Sequence, residues 1–225
     1  MSAKVAIVVG AGPLGRATAA ALADEGMTVV GVDRNEDALG ELPDSVRREV
    51  ADATDPAVAA QVIDRIAAEV GPPDVLVNTI GTFQLGDALD TTPEALHLMI
   101  DVNLATALWL SRAVAPHMQR QGSGAIVHVT ARPGIEPSGG MAAYSVSKAA
   151  LVHLTRVLDV ELRPHGIRVN AVAPQLINTP LNKSLFPADV LAHAVAPEAI
   201  AGVIAFLVSD AAAPVSGAIL PAYGA

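Results

Sequence analysis

With 225 residues, the chain is long enough for one large α/β domain and short for two, so we predict a single domain over residues 1–225. A formal net charge of −9, from 14 Lys and Arg against 23 Asp and Glu, argues against a nucleic-acid or membrane partner. The absence of cysteine excludes disulfides and thiolate chemistry, and without a recognisable signal peptide we expect a cytoplasmic protein.

The chain begins with a predicted strand, a glycine-rich turn and a helix. The apolar run Lys4–Val9 precedes three glycines with GxGxxG spacing, and the alanine-rich run Arg16–Glu25 follows as a helix. Glycines let the backbone approach a pyrophosphate closely, and a helix N-terminus offers free N–H groups. An ordinary tight turn is the alternative, but this context favours a dinucleotide site that includes Gly10, Gly12, Leu14 and Gly15.

An acidic residue ends the second predicted strand, Met27–Val32. This residue, Asp33, lies 18 positions after the last glycine of the turn. A carboxylate here accepts hydrogen bonds from the adenosine ribose and repels a 2′-phosphate, so NAD(H) is favoured over NADP(H). The neighbouring Arg34 leaves NADP(H) open, since a guanidinium pairs with phosphate.

The next two strands also end in residues suited to a ligand. The third, Arg47–Ala51, is followed by Asp52 and Ala53, where the acid is placed to face an adenine edge or to act as a loop or capping residue. The fourth strand ends at Asn78 and runs into Gly81, where a glycine permits close approach of a ligand. We therefore assign all four of these residues to a cofactor site.

Tyr144 and Lys148 are spaced four residues apart within the predicted helix Met141–Arg163. Residues at i and i+4 project from the same helix face, so the phenol and the ammonium are expected to share one small volume. A neighbouring positive charge favours the phenolate, and we expect it to lower the pKa of Tyr144. The pair then forms an acid–base group, the alternative being an ordinary surface helix.

The remaining segments complete an alternation of strands and helices. A long helix, Thr92–Gln121, contains Asn103 between apolar neighbours, which indicates a polar role in the interior. Residues 173–184 are expected to form a loop. The pattern predicts an α/β fold with one doubly wound, Rossmann-type parallel sheet of about seven strands and helices on both faces. Its last three strands are predicted at Ala125–Val129, Ile167–Val172 and Val215–Leu220.

The order of these motifs along the whole chain resembles the classical short-chain dehydrogenase/reductase family. Beyond the residues already named, the resemblance rests on the stretches Tyr144-Ser-Val-Ser-Lys148, Arg168-Val-Asn170 and Asn178-Thr179. It implies an enzyme that binds NAD(P)(H) and transfers hydride to or from a small-molecule substrate, with Tyr144 moving the proton. It further implies that Lys148 holds the ribose, that Asn103 anchors a proton-relay water, and that Ile177 and Thr179 lie at the cofactor.

The chain departs from the family pattern at three places. Val9 precedes a glycine turn one residue shorter than usual, and Gln175 stands where glycine is common. At the position of the catalytic serine, 13 residues before the tyrosine, the chain has Ala131. Thr130 is expected to point to the other face of the strand, and Ser138 is a weak substitute in the following loop. In having alanine there, the chain resembles dihydropteridine reductase.

Three functions are compatible with these motifs. The first is oxidoreduction of a small carbonyl, alcohol or activated imine, and the second is reduction of a quinonoid pterin, which needs no serine. The third is an NAD(H)-binding protein with impaired catalysis. The resemblance also implies a homodimer or homotetramer formed through the two long helices, with Trp109 in the core or at the subunit contact. Histidines and carboxylates do not show zinc-ligand spacing, so no metal site is predicted.

Overall fold

A computed structural model describes residues 3–224, and its central element is one seven-stranded parallel sheet. The spatial order of the strands is β3-β2-β1-β4-β5-β6-β7. Strand order reverses between β1 and β4, which in a doubly wound sheet is the point where a ligand crevice opens at the carboxyl ends. The strands are β1 Val5–Val9, β2 Thr28–Asp33, β3 Arg47–Val50, β4 Val75–Asn78, β5 Gly124–Val129, β6 Ile167–Pro174 and β7 Ile219–Ala222.

The helices lie in the crossover connections that join one parallel strand to the next. Several begin with a side-chain cap followed by proline, as at Asp55, whose carboxylate accepts from the N–H groups of Ala57 and Val58. The α-helices are α1 Pro13–Asp24, α2 Glu36–Gly40, α3 Pro56–Glu69, α4 Pro93–Ile100, α5 Thr106–Gln121, α6 Ala142–Leu162, α7 Pro180–Leu185, α8 Ala188–Leu191 and α9 Pro197–Val208.

Two buried apolar clusters lie on opposite faces of the sheet. One is formed by α1, α9 and the side chains of the strands that face them, including Leu22, Ile204 and Val127. The other packs α3, α5 and α6 against the opposite face, with Ile63 and Leu110 among its members. This arrangement confirms the predicted doubly wound α/β fold with helices on both faces.

Some segments differ in detail from the prediction. A loop is predicted for residues 173–184, but Thr179 accepts a hydrogen bond from the N–H of Asn182 and caps α7. The last strand begins four residues later than predicted, because residues 213–218 form a turn and an irregular stretch. The short helix α2 is not predicted; its N-cap is Asn35.

The stretch Pro93–Gln121 is long and apolar enough to cross a bilayer, but much of its apolar window is buried in the protein. It is interrupted by a π-helical turn, Asp101–Ala105, which separates α4 from α5. Trp109 packs against the cluster between α5 and the sheet. This helical stretch is thus a core element of the fold. The π-turn places the side chain of Asn103 in the interior of the protein.

Candidate active site

A cavity of about 350 Å³ opens at the carboxyl ends of β1, β2 and β4, beside the reversal of strand order. Seven of the predicted cofactor residues line it: Gly10, Gly12, Asp33, Arg34, Asp52, Ala53 and Gly81. Sequence analysis missed further lining residues, namely Thr79, Ile80, Thr82, Leu98 and Val102. The first three follow β4 directly, whereas the last two project from the helix pair around the π-turn and carry no distinguishing pattern.

The glycine turn forms the floor of this cavity. Gly10 has φ of +100°, a conformation that side-chain-bearing residues rarely adopt. A side chain on Gly15 would overlap the carbonyl oxygen of Gly10, so the helix packs directly onto the turn. Gly12 caps α1 without a side chain, and Pro13 follows it. The N–H groups of the first turn, including that of Leu14, are therefore open to a phosphate.

The carboxylate of Asp33 lies at the rim of the same cavity and is fixed by two backbone N–H groups. Ala11 N–H donates to Oδ2 over 2.6 Å, and Asn35 N–H donates to Oδ1 over 2.8 Å. These bonds tie the end of β2 to the glycine turn. Each oxygen keeps a lone pair for a ligand hydroxyl.

Arg34 faces Asp52 across the cavity mouth. Arg34 Nη1 lies 3.5 Å from Asp52 Oδ2, with 72% of the arginine side chain and 43% of the aspartate side chain exposed. The pKa of Asp52 is lowered, mainly by hydrogen bonds from the hydroxyl and N–H of Thr54, with the charge of Arg34 adding to them. Asp52 thus has the predicted loop role, through its bonds to Thr54, and it also lines the cavity.

Lys148 lies deep between α6 and the end of β5. Its side chain is buried, and Nζ donates to the carbonyl oxygen of Val129 over 2.9 Å. Burial lowers its pKa to about 8. This burial excludes the alternative of an ordinary surface helix with a chance lysine.

Tyr144 lies one turn before Lys148, and Nζ is 5.9 Å from the centre of its ring. Burial raises the pKa of the phenol to about 12. The pKa of Tyr144 therefore departs from its ordinary value in the direction opposite to the lowering expected from Lys148, and the cause is the loss of solvation. The spacing of the pair correctly predicted that the two groups are neighbours.

An aromatic wall next to the phenol was not predicted. The ring of Phe83 meets that of Tyr144 edge-on, with centroids 5.3 Å apart and an angle of 88°. The ring of Phe186, which follows α7, also contacts Phe83, with centroids 6.0 Å apart. The three rings come from separate parts of the chain, so their spacing in sequence gave no indication of the contact. Together they provide an apolar surface for the body of a substrate.

Asn103 is fully buried and connects the cavity to the catalytic helix. Its amide bonds to the backbone of Thr82, and Nδ2 also donates to Ser147 Oγ over 3.0 Å. A β-carbon on Gly81 would lie 3.2 Å from Lys148 Nζ and 3.3 Å from Asn103 Oδ1. Glycine at position 81 thus lets the loop after β4 approach both predicted catalytic residues. The prediction that Asn103 has a polar role in the interior is confirmed.

Ala131 lies two residues after the end of β5 and is buried, with extended backbone angles. The hydroxyl of Thr130 donates to the carbonyl oxygen of Lys148 over 3.0 Å, so it is committed to α6. Ser138 is exposed in the following loop. The hydroxyl of Ser145 is buried and has no hydrogen-bond partner among residues 3–224, a feature that sequence analysis missed.

Other predicted cofactor residues, among them Asn78, Ile177 and Thr179, do not line the cavity. Asn78 is buried at the end of β4, where its Oδ1 accepts from the N–H of Ile80. Ile177 and Thr179 lie beyond β6, where the carbonyl oxygen of Ile177 accepts from Asn182 Nδ2. The glycine cradle, the free N–H groups of α1 and the fixed carboxylate of Asp33 fit a dinucleotide cofactor.

Comparison with known proteins agrees with this geometry. The family model described as enoyl-(acyl carrier protein) reductase matches residues 10–224. The chain is 39% identical to cis-4-hydroxycyclohexanecarboxylate dehydrogenase of Sinomonas cyclohexanicum, over 98% of this chain and 95% of that protein.

Solved structures show the same similarity. A crystal structure of NAD⁺-bound xylitol dehydrogenase has a TM-score of 0.93 at 27% identity and covers 99% of this chain and 98% of its own. A crystal structure of a variant actinorhodin polyketide ketoreductase with NADPH has a TM-score of 0.92 at 27% identity. The match covers 99% of this chain and 96% of the ketoreductase chain. The chain therefore belongs to the short-chain dehydrogenase/reductase family and is an NAD(P)-dependent oxidoreductase.

Proposed function

We propose that the protein interconverts a secondary alcohol and its ketone on a small molecule with an apolar body, with NAD(H) as the preferred cofactor. The observation that carries this proposal is the half-buried Tyr144 phenol, which has Lys148 on one side and the aromatic wall on the other. It is a proton donor and acceptor placed at an apolar surface. The names of the relatives support this class, since one is a dehydrogenase of a hydroxylated ring and another is a ketoreductase.

Each catalytic side chain has a separate task in this proposal. The bound nicotinamide supplies or accepts the hydride. Tyr144 donates a proton to the substrate oxygen during reduction and removes it during oxidation. Lys148 holds the cofactor ribose and places a positive charge next to the phenol. Asn103 positions Tyr144 and Lys148, because it joins the loop after β4 to α6 through Thr82 and Ser147.

The preference for NAD(H) is argued from the rim of the cavity. The fixed carboxylate of Asp33 is suited to accept hydrogen bonds from ribose hydroxyls and repels a 2′-phosphate. Arg34 is the residue that would favour NADP(H), but it faces Asp52 and its charge is partly satisfied there. Solved relatives hold either cofactor, so the proposal rests on these three side chains.

The comparisons do not favour the two other functions considered from the sequence. The matched proteins are named as dehydrogenases and reductases, which argues against a pure binding protein. The main feature that suggests a quinonoid pterin is Ala131, which removes a hydroxyl donor. The aromatic wall accommodates other apolar substrates equally well.

We further propose a homodimer or homotetramer built on the long helices. Val157 and Val160 on α6 are 37% and 71% exposed, and Leu96 on α4 is 37% exposed. Covering these side chains would remove apolar surface from water. A monomeric mass in light scattering would contradict this assembly.

The function is tested by the variant Tyr144→Phe, which removes one hydroxyl and keeps the ring against Phe83. We expect loss of ketone-dependent NADH oxidation, while NADH affinity, measured by fluorescence titration, stays close to that of the wild type. Equal loss of turnover and affinity would contradict the assigned role. The same assay with NADPH tests the cofactor preference. A kcat/KM for NADPH equal to or higher than that for NADH would contradict the proposed preference for NAD(H).

A further inference from the structure

Side chains that follow three adjacent strands meet beside the catalytic helix. Arg132 comes after β5, Gln175 after β6 and Tyr223 after β7. Arg132 Nη1 donates to Gln175 Oε1 over 3.0 Å, and the guanidinium lies 5.0 Å from the centre of the Tyr223 ring. These contacts hold a positive charge at the carboxyl edge of the sheet, which is the edge where ligands bind in this type of fold.

The guanidinium has hydrogen-bonding capacity left over. Arg132 Nε donates to Glu136 Oε2 over 2.8 Å, which with the bond to Gln175 accounts for two of the five N–H donors of an arginine. In the described part of the chain the structure gives no acceptor for the others. The side chain is 41% exposed. Because Glu136 occupies Nε and Gln175 occupies one N–H of Nη1, the donors open to an incoming group are the second N–H of Nη1 and those of Nη2.

The turn that carries Arg132 is packed against the catalytic lysine. Arg132 directly follows Ala131, the position that lacks the hydroxyl. Two residues later, a β-carbon on Gly134 would lie 2.7 Å from the carbonyl carbon of Lys148, so this turn and α6 are in direct contact. Lys148 itself is buried and bonded to Val129, which leaves Arg132 as the accessible cation of this turn, with part of its charge satisfied by the ion pair with Glu136.

We propose that Arg132 binds a carboxylate of the substrate, so that the protein acts on hydroxy acids and the corresponding keto acids. This inference rests on the proposed function and adds the chemical class of the substrate. The planar fork of a guanidinium matches the two oxygens of a carboxylate. Gln175 and Tyr223 hold the fork before the substrate arrives, which reduces the entropy lost on binding. The apolar body of the acid would then face Phe83 and Phe186.

Equilibrium binding to the NAD⁺-loaded protein tests the proposal without turnover. The probes are cyclohexanecarboxylate and its neutral counterpart cyclohexanecarboxamide, each titrated by calorimetry. We expect the wild type to bind the acid about 10- to 100-fold more tightly than the amide, the range typical of hydrogen bonds to a charged group. Equal affinity for the two probes, or no measurable binding of the acid, would overturn the proposal.

Three variants test whether the preference for the acid probe depends on the side chain of Arg132. Arg132→Gln should remove the preference for the acid and leave NAD⁺ affinity unchanged, and Arg132→Lys should retain part of it because the charge remains without the fork. Arg47→Gln removes the same charge from the exposed edge strand β3 and should behave like the wild type. An acid preference that survives in Arg132→Gln overturns the proposal.

The remaining outcomes are also decisive. If Arg132→Gln lost NAD⁺ binding as well, Arg132→Lys would decide, since unchanged acid affinity in that variant overturns the proposal and weakened acid affinity supports it. Tyr144-dependent turnover of neutral ketones without acid preference would leave the proposed oxidoreduction standing and refute only the carboxylate. Acid preference without any turnover would support the carboxylate site and refute the proposed oxidoreduction.

Discussion

The side chain of Asn103 bonds twice to the backbone of Thr82. Thr82 N–H donates to Oδ1 over 2.8 Å, and Nδ2 donates to the Thr82 carbonyl oxygen over 3.0 Å. Nδ2 also donates to Ser147 Oγ in α6, which in turn donates to the Tyr144 carbonyl oxygen over 2.8 Å. One buried amide thus joins the loop that lines the cofactor cavity to the turn of helix that carries the phenol.

Replacing this amide should weaken both the fold and the catalytic step. Asn103→Ala leaves the polar groups of Thr82 without partners in a buried place, and we expect a loss of about 2–4 kcal/mol in the free energy of unfolding. We also expect kcat to fall more than the affinity for NADH, because Tyr144 is no longer positioned relative to the loop. Urea unfolding and steady-state kinetics measure the two effects.

A second asparagine serves as the control. Asn35 caps the short exposed helix α2, so Asn35→Ala removes only a local capping bond and should cost about 1 kcal/mol with no change in kcat. If the two variants had the same effect on kcat, the coupling assigned to Asn103 would be refuted.

The pKa values of the catalytic pair predict different pH profiles for the two directions. In alcohol oxidation Tyr144 must accept a proton, and with a pKa near 12 its ionised fraction increases tenfold per pH unit. We therefore expect kcat for oxidation to rise steeply from pH 6 to about 8. Above this pH Lys148 loses its proton, and with it the charge that favours the phenolate, so the rise should flatten.

Reduction requires the protonated phenol, which is present over this whole range. Its kcat should therefore change little between pH 6 and 8. Stopped-flow measurement of the hydride-transfer step in both directions checks the contrast. An oxidation rate that is constant from pH 6 to 8 would show that the phenol is not the group that accepts the proton.

The sequence predicted those parts of the site that depend on local chain geometry. The turn Gly10–Gly15 and the pair Tyr144 and Lys148 are close in sequence, so the regular geometry of strand and helix places them without reference to the rest of the molecule. Asp33 and Gly81 were found because strand ends in a parallel sheet share one edge. Each of these residues lies where it was expected.

Features that depend on the surroundings of a side chain could not be predicted. The raised pKa of Tyr144 results from burial by several segments, whereas its sequence neighbour Lys148 suggested the opposite direction. The contact of Phe83 with Phe186 joins parts of the chain 103 residues apart. The π-turn at Asp101–Ala105 likewise gave no sequence pattern. A π-turn inserts only one extra residue into the helix, so the helical spacing of apolar residues continues on both sides of it.

Restoring a hydroxyl at position 131 should accelerate the reaction. Ala131 occupies the place of a serine in the family pattern, and Thr130 cannot replace it because its hydroxyl is bonded to Lys148. A missing donor to a developing oxyanion costs about 100- to 1,000-fold in systems that depend on one. We expect Ala131→Ser to raise kcat for ketone reduction by about 100-fold with NADH affinity unchanged.

Two other hydroxyls are the controls for this prediction. If the buried hydroxyl of Ser145 already polarises the carbonyl, Ser145→Ala will lower kcat and Ala131→Ser will have little effect. Ser138→Ala, in the exposed loop, should leave kcat unchanged. Steady-state kinetics with one ketone across the three variants distinguishes these cases.

His128 should make the protein sensitive to acid. Its imidazole is completely buried in β5, where Nε2 lies 3.3 Å from Ser111 Oγ and Nδ1 has no partner among residues 3–224. Burial, together with the charge of Lys148, lowers its pKa from 6.5 to about 4. Because the folded-state pKa lies below the unfolded one, the stability is fully present above pH 6.5 and is lost as pH falls from there through 4.

The variant His128→Gln measures this contribution, since glutamine keeps a polar group for Ser111 and does not titrate. Between pH 7 and 4 we expect the wild type to lose about 3 kcal/mol more unfolding free energy than the variant, as a shift of this size requires. His165→Gln removes an exposed histidine and should follow the wild type. Urea unfolding at about pH 7, 5.5 and 4 provides the comparison, and parallel losses in all three proteins would exclude His128 as the acid-sensitive group.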